Sequence, residues 1–100
     1  MIKLTFLGDI LCDYSMASRT QRYYSTENKL DYSSVFAHLK PFLEASDYVV
    51  ANLETPISVD NSELTSAPSN FNSAHEFAEA LKNCGVDFVT SANNHCLDRG

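Results

Sequence analysis

One hundred residues, 44% hydrophobic and 20% charged, suit a single small globular domain with a modest core, one that buries roughly 65% of its unfolded surface. Thirteen Asp and Glu against seven Lys and Arg leave a formal charge of −6, which excludes a nucleic-acid backbone or an anionic membrane as partner, since both demand clustered cations. Cys12, Cys84 and Cys96 form an odd set with no C-x-x-C pair, so neither a disulfide framework nor a zinc-finger pattern is encoded and a reducing compartment suits them.

Ile2 to Leu7 is a short apolar run that ends at Gly8-Asp9, the pattern of a buried strand followed by a turn. The run is too short for the core of a signal peptide and lacks a basic leader and a cleavage site. No stretch of the sequence is long and apolar enough to span a bilayer. The expected location is cytoplasmic for the chain as it stands, and extracytoplasmic if a leader has been removed.

Residues 14–31 are rich in Tyr, Ser and Thr without a period, which predicts a long irregular loop. Its tyrosines, with Tyr32, could line a cleft, a packed loop being the commoner arrangement. From Tyr32 to Ala45 the apolar residues Val35, Phe36, Leu39, Phe42 and Leu43 recur at helical spacing. Pro41 removes a backbone donor and clashes with the preceding turn, so a kink or a break into two short helices is expected. Tyr48 to Ala51 reads as a second strand running into Asn52-Leu53-Glu54-Thr55-Pro56, where Pro56 forbids an ordinary central strand. A Ser/Asn-rich loop follows over 57–72. Ser73 to Cys84 has the spacing of a helix, with Ser73 and Glu76 placed as a capping box and Gly85 as the stop. Val86 to Thr90 is the third strand, leading into Ser91-Ala92-Asn93-Asn94-His95.

Strand, helix, strand, helix, strand with crossovers of this length predicts an α/β fold with a parallel sheet. Ligands in such sheets bind beyond the carboxyl ends of the strands. Three polar groups fall there: Asp9; Asn52 and Glu54; Asn93, Asn94 and His95. Each has an ordinary reading, a turn aspartate, a loop carboxylate bound to nearby amides, an Asn pair initiating a turn. One shared site explains all three at once. Its mixture of carboxylate, amide oxygen and imidazole suits Mn, Fe, Zn or Mg better than a thiolate-seeking metal. The final residues, NNHCLDRG, carry so much of this chemistry that Gly100 is expected to be a cut rather than the end of a domain. His38 and His75 are expected on exposed helix faces, and Cys84 as a small buried hydrophobe. A Cys/His zinc site using Cys12 and Cys96 has the wrong spacing for the common patterns.

Gly8-Asp9 after the first strand, ANLETP at 51–56 and AEALKNCGVDFVTSANNHCLDRG at 78–100 together resemble the CapA (poly-γ-glutamate capsule synthesis) family, a branch of the calcineurin-like metallophosphatases. The resemblance covers nearly all of the chain outside residues 14–30. NNHxxDxG with an upstream NLE is the specific part, whereas GD alone is weak. It implies that residues 1–100 are the N-terminal part, incomplete at the C-terminus, of a four-layer α/β/β/α metallophosphatase-like domain. One or two divalent metal ions would sit at the strand ends. Asp9 would match the first aspartate ligand, Glu54 the bridging carboxylate and Asn94 the amide ligand. His95 would face the leaving group as general acid or transition-state stabiliser. Asn52, Asn93 and Asp98 would touch substrate or support the ligands from behind.

Two departures separate this chain from the broader phosphatases. Leu11 stands where a first-motif histidine is usual, and Asn52-Leu53-Glu54 replaces Gly-Asp-x-x-Asp. The expected activity is metal-dependent hydrolysis of a phosphoester or related anionic substrate by a metal-activated hydroxide. The alternatives are a non-enzymatic accessory protein of capsule-polymer assembly and an inactive fragment. Expected partners are an anionic small molecule or polymer, and either the remaining C-terminal part of the same domain or a second copy of the fragment.

Overall fold

The computed structural model describes residues 1–12, 16, 18–20, 31–58 and 71–98. The first strand, β1 (Leu4–Ile10), runs past the apolar segment and through Gly8-Asp9, so the expected turn there is strand. Of the excursion over 14–31, Met16 and residues 18–20 are helical rather than irregular. Met16 packs on the core and Thr20, one turn on, is buried, a spacing at which a helix can bury one stripe of an otherwise polar sequence. Tyr14, Tyr23 and Tyr24, and the loop over 59–70, lie outside the described residues.

The helical pattern of 32–45 divides at Pro41 as expected. Helix α1 (Ser33–Phe36) and helix α2 (Lys40–Glu44) are separate, and Pro41 occupies the first turn of α2, where its missing N–H would have had no partner in any case. Asp31 Oδ1 accepts from the Ser33 N–H at 2.9 Å and so opens α1.

Helix α3 (His75–Cys84) starts later than its sequence signal. Ala74 is the N-cap, in extended conformation and without a side-chain cap. Ser73 is instead drawn into a parallel bridge with Ile57, which buries its hydroxyl with no hydrogen-bond partner among the described residues. The bridge wins because the Ser73 N–H donates to the Pro56 carbonyl at 2.8 Å. At the other end Gly85 adopts the left-handed conformation, φ 112°, while the Val86 N–H reaches the Leu81 carbonyl at 3.1 Å. That pairing is a Schellman stop.

Among the described residues the sheet is three-stranded and parallel, in the order β1, β2 (Tyr48–Leu53), β3 (Phe88–Thr90). Strand β3 is shorter than expected because the Asp87 side chain replaces a ladder rung, accepting from the Val49 N–H at 2.8 Å. Both crossovers advance in the same direction, and right-handed connections then put the described helices on one face. Val49 and Ala51 point into that face, where Tyr32, Phe36, Leu43, Phe77, Leu81 and Val86 complete the core. Phe77 is fully buried at its centre, its ring 5.4 Å from Tyr32 and 5.9 Å from Phe36. The opposite face, with Leu4, Phe6, Tyr48 and Phe88, is exposed among the described residues.

One irregularity shapes the carboxyl edge. Between Phe6 and Asp9 the register slips, Phe6 pairing with Val50 but Asp9 with Asn52. The extra residue in β1 is a bulge, and it reverses the alternation of side chains beyond it. Asp9 thereby joins Asn52 on the open face instead of pointing toward the helices.

Candidate functional site

The carboxyl ends of the three strands carry two linked polar groups. In the first, Asn52 donates from Nδ2 to Asp9 Oδ1 at 2.7 Å. Its carbonyl oxygen accepts from Thr90 Oγ1 at 3.0 Å and from Asn93 Nδ2 at 3.4 Å. In the second, His95 stands between two carboxylates, with Nδ1 2.8 Å from Asp98 Oδ2 and Nε2 3.7 Å from Glu54 Oε1. Its imidazole is only 13% exposed.

Asn93 joins the two groups. Its Nδ2 donates to the Leu53 carbonyl at 3.0 Å, and its Oδ1 accepts from the His95 N–H at 2.9 Å. The loop after β3 is thus pinned to the end of β2, which sets His95 over Glu54. The backbone around Glu54 is held from the other side, where the Glu54 N–H donates to the Ile10 carbonyl at 2.9 Å and buried Thr55 accepts from the Cys12 N–H at 2.7 Å.

Asp98 has a second task. Its Oδ2 also accepts from the Phe71 N–H at 3.0 Å, and the Phe71 ring stands edge-on to His95 with centroids 4.8 Å apart. A cleft of about 340 Å³ opens beside Glu54, bounded by Thr55, Ser58, Ser91 and Cys96.

Of the residues expected from the sequence, Asp9 meets Asn52, and Glu54 and Asp98 each meet His95 from opposite ring nitrogens. Asn93 bridges the two sets. Asn94 is exposed and makes no hydrogen bond among the described residues, so its amide is brought to the same loop but not into contact. Thr90 and Phe71 escaped the sequence reading. Thr90 could have been found as the last residue of a strand at the ligand-bearing edge, and Phe71 as the lone aromatic in a Ser/Asn-rich stretch. Cys12 is buried with its thiol 3.8 Å from the Tyr32 hydroxyl. That position takes it into the core, away from a zinc site.

No three His, Cys, Asp or Glu side chains among the described residues come close enough to form a metal cage. The available donors are carboxylate oxygens, an amide and an imidazole, with the Asp9 carboxylate already oriented by an amide behind it. This is the kind of set that hard divalent cations take. It fits part of a coordination shell.

A parallel α/β sheet, covered on one side among the described residues and with an oxygen-rich polar cluster at its strand ends, defines the class: an α/β protein with a candidate site at the carboxyl edge, where open sheets carry theirs. The family described as bacterial capsule synthesis protein PGA_cap matches residues 3–100, and the chain belongs to it. The capsule biosynthesis protein CapA of Bacillus anthracis is 32% identical over 102 residues, covering 99% of this chain and 23% of that protein. The PGA biosynthesis protein CapA of Bacillus subtilis (strain 168) is 27% identical over 101 residues, covering all of this chain and 25% of the relative. The chain therefore spans about a quarter of the length of these curated relatives. No solved structure matches it significantly.

Proposed function

We propose that this chain supplies one side of a metal-dependent hydrolytic site acting on a phosphoester or related anionic substrate in capsule-polymer synthesis. The observation that carries the reading is the His95 imidazole, held between Asp98 and Glu54 at the carboxyl ends of parallel strands. Asp9, Glu54 and Asn94 are the residues that would hold a divalent cation such as Mn, Fe, Zn or Mg, and the cation would polarise the substrate and activate water.

The protein's own chemistry centres on His95. A proton on Nδ1 satisfies Asp98 and leaves Nε2, the nitrogen toward Glu54, free to take up a proton and return it to a departing oxygen. Asp98 keeps the ring in that tautomer and orientation. Phe71 covers one side of the ring and limits access of water to it. Asn52 and Asn93 hold the two halves of the site together.

A second reading has support of its own. The relatives' names describe biosynthesis rather than hydrolysis, which favours an accessory protein that binds an anionic capsule polymer at the same edge without cleaving it. Metal content and phosphodiesterase rates, measured in the protein carrying this chain, separate the two. Under the hydrolytic reading Asp9→Asn and Asn94→Ala lower bound metal, while His95→Ala keeps the metal and lowers turnover by about 100-fold or more. Loss of metal in the His95 variant, with activity retained in the Asp9 variant, would sink this division of roles. Polymer binding without turnover would establish the accessory reading.

A further inference from the structure

We propose that Asn52 is the positioning residue of the Asp9 carboxylate, a one-way amide relay that fixes Oδ1 as an acceptor and leaves Oδ2 as the single oxygen available to a ligand. The direction of the relay follows from its neighbours. Asn52 Nδ2 meets a carboxylate oxygen at 2.7 Å, while its carbonyl oxygen meets the Thr90 hydroxyl at 3.0 Å and the Asn93 amide nitrogen at 3.4 Å. Turning the amide over would set oxygen against oxygen at Asp9 and NH₂ against NH₂ at Asn93, so only one orientation satisfies every partner.

The bond to Asp9 is charge-assisted and the two bonds behind it polarise the same amide in the same sense, which strengthens it. Three strand ends are needed to build the relay: Asp9 from β1, Asn52 from β2 and Thr90 from β3. The bulge in β1 is what brings Asp9 into register with Asn52. Without Asn52 an exposed aspartate at a strand end would sample several rotamers. With it, one oxygen is committed and the other points away from the relay.

The lock on Asp9 stands on hydrogen bonds alone. Its use in metal binding rests on the function proposed above. Crystal structures and Mn²⁺ titrations of the wild type, Asn52→Leu, Asp9→Asn and the double variant test both parts. Asn52→Leu keeps the side-chain volume and removes donor and acceptor together. The expected result is an Asp9 side chain spread over more than one rotamer and an Mn²⁺ affinity about 10-fold weaker, the usual effect of losing a partner behind a ligand. In the Asp9→Asn background the same substitution should change Mn²⁺ affinity no further. A single unchanged Asp9 rotamer in Asn52→Leu overturns the proposal, as does an equal loss of affinity in both backgrounds. If Asn52→Leu does not fold, Thr90→Val removes one donor behind the relay and should loosen the Asp9 rotamer in the same way, an unchanged rotamer again counting against the proposal. Wild-type protein that takes up no Mn²⁺ would contradict the metal reading, while the Asp9 rotamers would still decide the relay.

Discussion

Ser73 shows how a residue's role depends on which backbone bonds its neighbourhood forms. The sequence places it as the cap of α3, where its loss would cost about 1 kcal/mol. The bridge to Ile57 takes it out of that position and leaves its hydroxyl buried and unpartnered among the described residues. A buried hydroxyl without a partner carries a desolvation cost and returns nothing. Ser73→Ala should therefore fall within about 0.5 kcal/mol of wild type or above it in chemical denaturation, and a loss near 1 kcal/mol would show that the hydroxyl finds a partner after all. The place of the candidate residues at one edge of the sheet was legible for a related reason. Asp9 falls in the last residues of β1, Glu54 directly follows β2 and His95 lies in the loop after β3, and a parallel sheet aligns its carboxyl ends whatever the details of packing. Which of them touch was not legible, because a one-residue change of register decides it.

At the scale of elements, α3 is held by its C-terminal stop and by its buried stripe. A Cβ at position 85 would lie 3.2 Å from Leu43 Cβ and would sit on a backbone at φ 112°. Gly85→Ala should accordingly cost about 1–2 kcal/mol, measured as a lower denaturant midpoint; an unchanged midpoint would mean that α2 can shift away. The core against which α3 packs also carries an alkaline weakness. Burial pushes the Tyr32 phenol well above its ordinary 10.0, with the nearby Cys12 thiol and then Glu76 adding to the effect. Burial likewise pushes the Cys84 thiol above its ordinary 9.0. Both groups stay neutral in the folded protein while the unfolded chain ionises at the ordinary values. Their stabilisation is complete below the unfolded pKa values and is lost as pH rises above them. Urea unfolding should show stability falling above about pH 9, and Tyr32→Phe with Cys84→Ala should flatten that fall. A profile identical to wild type in the double variant would rule these groups out as its source.

For the whole molecule the governing feature is the sheet's open face. Leu4, Phe6, Tyr48 and Phe88 are 44–71% exposed there, and among the described residues the outer edges of β1 and β3 that border them are unpaired. Exposed apolar faces and open strand edges favour association. Light scattering should show the 100-residue chain self-associating as concentration rises, and Phe6→Lys with Phe88→Lys should return it to a monomer; a wild-type monomer across a wide concentration range would mean that the face is tolerated bare. Hydrophobic runs, the Pro41 break and the Gly85 stop are local in origin, so the sequence by itself determined the order of strands and helices, the parallel α/β class and the residues gathered at the carboxyl edge. The bulge that turns Asp9 toward Asn52, the Asp98 contact that joins Phe71 to His95 and the displacement of Ser73 from its cap were decided only by the tertiary structure. Each depends on backbone partners from distant segments, and hydrophobic periodicity does not record which strand will lie alongside or in what register.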